Sequence, residues 1–163
     1  MSKTERLLTD YAAYHRDRRN VWTHFVGVPM IVLAVHVLLS RPLFEVGVWL
    51  LAPAVFLSLA AALWYLAVEI RFGLVMSAFL ALCVWLGLEI AQWSTMAWLL
   101  TGVGLFVVGW LFQFLGHHYE GRKPAFIDDL KSLLVGPLFV LAEMTFMLGM
   151  RRDLQRKIDA AHG

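Results

Sequence analysis

Five long apolar runs, joined by links only a few residues long except the last, decide what this chain can become. They cover residues 21–39, 46–68, 72–90, 95–115 and 133–150. Crossing a hydrocarbon core of about 30 Å takes about 20 helical residues, so each of the first four runs is long enough to span. The short links make consecutive spans antiparallel neighbours. The fifth run is shorter, breaks early at Gly136-Pro137 and carries Glu143. A carboxylate at mid-membrane is costly unless it faces protein or water, and proline removes a helical hydrogen bond. The fifth run is therefore a kinked span or a re-entrant segment. Composition agrees: 60% of the residues are hydrophobic and 16% charged, with a mean hydropathy of +0.69, whereas soluble domains carry about 25% charged residues. The expected fold is an all-α integral membrane helical bundle, one membrane-embedded domain over 1–163. It has an interfacial helix within 1–20, four spans over 21–115, a loop at 116–132, the fifth segment at 133–150 and a basic tail at 151–163.

Charge placement orients the bundle. Lys3, Arg6, Arg16, Arg18 and Arg19 precede the first run, Arg71 follows the second, and Arg122, Lys123 and Lys131 follow the fourth. Only Arg41 falls on the opposite side of four crossings. By the positive-inside bias, the N-terminus and the 116–132 loop lie in the cytoplasm. The tail carries Arg151, Arg152, Arg156 and Lys157, so a fifth segment that turns back keeps all but Arg41 of the 14 basic residues on one side, and that arrangement is the one expected. The first run lacks a small-residue cleavage site and reads as a retained span. The expected location is the inner membrane in a bacterium, or the endoplasmic reticulum in a eukaryote. The basic residues follow membrane sidedness and no pattern suggests nucleic acid as a partner. The single cysteine, Cys83, lies within an apolar run and reads as a small hydrophobe.

Four of the six histidines fall in two clusters. The first holds Tyr14, His15, Asn20, His24, Gly27 and Pro29. The second holds Gln113, Phe114, Gly116, His117, His118, Tyr119 and Glu120, followed by Pro124. Four crossings separate the clusters, so both emerge on the same side and can meet. His117 and Glu120 are three apart and share a helical face if the fourth run continues through them. His15 and His24 are nine apart, on opposite sides of a continuous helix, and converge only if the chain turns between them. Asn20, a favoured N-cap just before the apolar run, is expected to make that turn by accepting the amide of Trp22 or Thr23. Aspartate should replace it with little loss. A helix over 4–17 would present Leu7, Leu8, Tyr11 and Tyr14 on one face, and Gly27 and Pro29 would bend the start of the first span.

The set His15, His24, His117 and Glu120 offers nitrogen and oxygen donors without a thiolate. Imidazole suits iron, zinc, copper and nickel, and two histidines with a carboxylate form the facial arrangement of non-haem Fe(II) oxygenases. Two other readings stay open from the residues alone. His24 and His117 could be axial ligands of a haem, or the histidines could serve only as hydrogen-bonding groups in a membrane scaffold.

The pattern His15, Asn20, His24, Gly27, Pro29 resembles a signature of the 2-hydroxy-fatty-acid dioxygenases, also known as domain of unknown function 962. Gln113, Phe114, Gly116, His117, Glu120 and Pro124 are similar to that family's second signature. The stretch Phe126-Ile127-Asp128-Asp129-Leu130, with Gly136-Pro137 further on, is similar to its continuation. The resemblance covers most of the chain. It implies an integral membrane Fe(II) enzyme that uses O₂ to shorten a 2-hydroxy fatty acid by one carbon, as in fatty acid α-oxidation during phytosphingosine breakdown. It also implies membrane lipid around the chain and an acyl tail admitted from the bilayer. Arg19, Arg122 and Lys123 are the candidates to offset the head-group charge, with Arg16 and Arg18 nearby. Asn20, His118 and Glu69 are candidates to support the ligands. His36, deep in the first run, is expected to bond to a helix neighbour, and His162 is a tail residue.

Overall fold

The structure is a computed structural model that describes residues 1–127 and 129–161, with only the backbone of Phe126. Asp128 and His162 lie outside the described residues. The chain groups into two compact units, Met1–Val28 with Phe112–Gly163, and Pro29–Leu111.

Nearly all of the regular structure is helical: α1 (Lys3–Ala12), α2 (Arg18–Leu38), α3 (Pro53–Val68), α4 (Ile70–Ala91), α5 (Thr95–Glu120), α6 (Ser132–Met147) and α7 (Arg152–Ala160). Three of these, α2, α4 and α5, are long and apolar enough to cross a bilayer. Large apolar side chains stand open along them and along α3, including Leu63 at 68% exposure and Leu100 at 64%. That much exposed apolar surface suits lipid rather than water.

The second run departs from the expected continuous span. Residues Phe44–Val46 and Trp49–Leu51 form an antiparallel hairpin, β1 and β2, with Val46 opposite Trp49. Gly47 takes the positive φ of 62° that a two-residue hairpin turn needs. The flanking Val and Trp residues favour strand. The helical part starts only at Pro53, well placed in a first turn because its missing N–H is not needed there. With 16 residues, α3 is shorter than the full spans. Within the Pro29–Leu111 unit Glu69 caps α4, its carboxylate accepting the Phe72 N–H at 2.9 Å. In the same unit His36 Nδ1 donates to the Val32 carbonyl at 2.7 Å, and its Nε2 accepts from the Ser58 hydroxyl at 2.6 Å. It is thus bonded to a helix neighbour, as expected.

In the first unit α1 opens on a reciprocal cap, in which Ser2 Oγ accepts the Glu5 N–H and the Glu5 carboxylate accepts the Ser2 N–H. Thr4, Leu8 and Tyr11 form its buried face. α1 stops at Ala12 instead of reaching residue 17. α6 runs unbroken through Pro137 and packs its Phe139 on Tyr11, with ring centroids 5.1 Å apart. After Gly149 and Arg151, both at positive φ, the chain bends by 114° into α7. α7 buries Leu154 and Ile158, and its Lys157 meets Glu5 of α1 at 2.7 Å. The basic tail is therefore an amphipathic helix lying on the first helix.

Candidate metal centre

The chain between α1 and α2 turns over Ala13–Asp17, and Asp17 starts α2 by accepting the Arg19 N–H at 2.8 Å. The Arg19 guanidinium beside Asp17 holds that carboxyl below the usual range. The expected cap at Asn20 is corrected here. The helix begins at Arg18, so Asn20 lies inside the first turn, fully buried. The helix simply runs outward past the apolar stretch, and an aspartate three residues earlier takes the capping role that asparagine and aspartate share.

This turn does what the spacing of His15 and His24 requires. Their Nε2 atoms come within 3.0 Å, and the His117 ring closes the group, with centroids 5.0 Å from His15 and 5.2 Å from His24. All three histidines are buried. Ligand nitrogens of the three lie within 4.8 Å of one another.

Backbone carbonyls fix the tautomers of two rings. His15 Nδ1 donates to the Tyr11 carbonyl at 2.9 Å, and His24 Nδ1 donates to the Asn20 carbonyl at 2.8 Å. A carbonyl only accepts, so each Nδ1 carries the proton and each neutral ring presents a bare Nε2. Two lone pairs then face each other and need a cation between them. A proton is disfavoured, because burial lowers the His15 pKa to about 3. Nδ1 of His117 is buried with no hydrogen-bond partner among the described residues, and so are Asn20 Oδ1 and Gln113 Nε2. Converging bare nitrogens and orphaned polar atoms fit a metal ion with imidazole ligands held by carbonyls behind them.

Tyr11 and Phe139 wall the site. Tyr11 stacks flat on His15, with centroids 4.2 Å apart and planes 7° from parallel, and Phe139 leans on the same ring at 5.3 Å. Burial also raises the Tyr11 phenol. α5 approaches α2 so closely at Gly116 that any Cβ there would collide with Thr23 Oγ1 and the Asn20 side chain. Sequence reasoning placed Tyr11 only on an apolar face and did not single out Phe139. One local signal was available for Tyr11: it stands four residues before His15, just as Asn20 stands four before His24, the spacing at which a histidine reaches back to a carbonyl.

The remaining candidates lie elsewhere. Glu120 follows His117 by one helical turn, and its carboxylate accepts the Arg16 N–H at 2.9 Å, the Asp17 N–H at 2.8 Å and Asn20 Nδ2 at 3.1 Å. Arg122 donates to the Ala13 carbonyl at 2.9 Å. Arg19 is exposed, paired with Asp17 and set over the Tyr119 ring at 4.6 Å. His118 and Lys123 are exposed. Glu69 caps α4 in the other unit.

A family model described as 2-hydroxy-palmitic acid dioxygenase Mpo1-like matches residues 1–148, a stretch that contains all three histidines and Glu120. The 2-hydroxy-palmitic acid dioxygenase MPO1 of Saccharomyces cerevisiae is 32% identical to this chain over 151 residues, covering 91% of this chain and 83% of its own length. No solved structure matches the chain.

Proposed function

Since the chain belongs to the 2-hydroxy-palmitic acid dioxygenase Mpo1-like family, we propose that it is an integral membrane Fe(II) dioxygenase that cleaves C1–C2 of 2-hydroxy fatty acids to yield an acid one carbon shorter. The observation that carries the reading is the pair of bare Nε2 atoms of His15 and His24 facing each other at 3.0 Å, with the His117 ring beside them and its Nδ1 without a hydrogen-bond partner among the described residues. These three histidines are the proposed ligands. Held by them, Fe(II) would supply Lewis-acid and O₂-activating chemistry toward a substrate that carries a carboxylate and a 2-hydroxyl.

The protein's own groups do the positioning. The Tyr11 and Asn20 carbonyls hold the two rings in the tautomer that ligates. Tyr11 and Phe139 exclude water from one side of the rings. The head-group contact is assigned to Arg122 and Lys123, on the segment just after α5, with Arg19 across the same turn. Most of the acyl chain stays among apolar helices. A haem between His24 and His117 is the weaker reading, because rings only 5.2 Å apart and edge to face leave no slot for a macrocycle.

The histidine end is proposed to face the cytoplasm. α6 and α7 are read as re-entrant: Tyr11 meets α6 at Phe139, Glu5 meets α7 at Lys157, and Arg18, Trp22, Phe146 and Gln155 line one cavity of about 240 Å³. Both arms thus return to the level of α1 and the first turn of α2.

The deciding experiment is anaerobic reconstitution of the purified protein with Fe(II), followed by O₂ and 2-hydroxypalmitate. Mass spectrometry should find the acid one carbon shorter, formed only with iron. A Soret band in the purified protein, or turnover that ignores iron chelation, would overturn the proposal.

A further inference from the structure

We infer that Glu120 is a positioning residue, whose carboxylate sets the path of the chain between the first two histidines and so assembles the three rings without touching the metal. The inference rests on the reading of His15, His24 and His117 as the metal site. Each oxygen of Glu120 is already engaged: Oε1 by the Arg16 amide, Oε2 by the Asp17 amide and the Asn20 side chain. Among the described residues, the group able to hold an ion contains the three histidines and does not take in Glu120.

What the carboxylate binds explains why it is there. The Arg16 amide belongs to the peptide bond that leaves His15. Asn20 is the residue whose carbonyl orients His24. His117 stands one helical turn before Glu120 on α5. A single side chain therefore ties the backbone of one ligand, the support of the second and the helix of the third.

The electrostatics favour the same role. The first turn of α2 carries Arg18 and Arg19, and the Asp17 carboxylate that caps it is already paired with Arg19, so Glu120 adds a second carboxylate at this positive end. A carboxylate at a helix N-terminus meets both the dipole and amides that have no helical acceptor. Arg122, two residues further on, holds the Ala13 carbonyl at the other side of the turn. The two together close the turn from residues about a hundred positions away in sequence.

Metal titration and amide hydrogen exchange on the full chain in detergent separate this role from direct ligation. The probe is Co(II), whose ligand-field spectrum reports its donors. In Glu120→Ala the Arg16 and Asp17 amides should exchange at least about tenfold faster, and Co(II) affinity should fall about 10–100-fold, the range for loss of a group that orients a ligand. At saturating Co(II) the spectrum should match that of the parent. Glu120→Gln keeps one acceptor oxygen and should fall between the two in exchange and affinity, which also covers the case in which alanine fails to fold. A changed spectrum at saturation with unchanged exchange would make Glu120 a ligand and overturn the inference. Unchanged exchange and affinity in both variants would overturn it as well. If the parent chain takes up no metal, the metal-site reading fails, while the exchange comparison still decides whether Glu120 closes the turn.

Discussion

His15 and His24 point their unprotonated Nε2 atoms at each other across 3.0 Å, each ring locked in that state by a carbonyl four residues earlier. Neutral imidazoles do not approach in this way for their own sake. Their arrangement predicts that replacing either of them, or His117, by alanine removes most metal binding, a loss of at least about a hundredfold in affinity, beyond the 10–100-fold typical of a supporting group. His118→Ala should bind as the parent does, because that ring is exposed and outside the group. Equal metal content in His24→Ala and the parent would remove the site.

Asn20 supports a prediction opposite to the one its sequence position suggested. As a cap, aspartate would replace it well. Buried with its amide 3.1 Å from the Glu120 carboxylate, it would instead place like charges in contact. Asn20→Ala removes one hydrogen bond to a charged group, about 1.5–3 kcal/mol of stability. Asn20→Asp should be worse than alanine in both stability and metal retention. Thermal melts and metal analysis of the two variants side by side test this, and aspartate matching the parent would show that Glu120 is not its partner.

Gly116 and Gly104 lie on the same helix and should answer alanine in opposite ways. At 116 the new Cβ meets Thr23 and Asn20, whereas at 104 none of the described residues stands within 4 Å. Gly116→Ala should cost about 1–3 kcal/mol through overpacking and weaken metal binding. Gly104→Ala should be neutral or gain about 0.5–1 kcal/mol from the helix backbone. Denaturation in detergent measures both, and equal effects would mean that α5 does not press on α2 at Gly116.

Acid should destabilise the metal-free protein through His15. Its folded pKa, lowered by burial from 6.5 to about 3, lies below that of the unfolded chain. Between those values the unfolded state takes up the proton and the folded state does not. Stability is therefore full above 6.5, falls as the pH drops toward 3 by up to about 1.4 kcal/mol per unit, and levels below that. Unfolding curves recorded across this window should show a shallower slope for His15→Gln, and an unchanged slope would place the titration elsewhere.

The ion pair between Glu5 and Lys157 sets the expected side of the tail. Single cysteines at Ser2 and Ala160, in a chain whose own Cys83 is buried, should react with an impermeant reagent from the same face of sealed vesicles. Labelling of the two positions from opposite faces would make α6 a full span.

The apolar runs were legible because lipid-facing helices need long uninterrupted hydrophobicity, which marks α2, α4 and α5 without any tertiary information. The hairpin at Phe44–Leu51 was hidden inside such a run, since Val, Trp and Leu suit strand and span alike and only Gly47 signalled the turn. Four expected crossings allowed the two histidine clusters to meet, but which rings converge depends on the turn between α1 and α2. The partner of Glu120 was not legible: a carboxylate one helical turn from a histidine looks the same in sequence whether it meets a metal or a backbone amide. The choice depends on where the amides of Arg16 and Asp17 end up, and those lie 104 and 103 residues away.

That separation has a consequence for how the protein is made. At synthesis rates of about 5–20 residues per second, the N-terminal histidines wait roughly 5–20 s before Glu120 has even been polymerised. Throughout that interval His15 and His24 lack the third ring and the anchor that aligns them. On the metal-site reading, loading therefore belongs late in translation, after the intervening apolar helices have formed and the two distant stretches of chain have met.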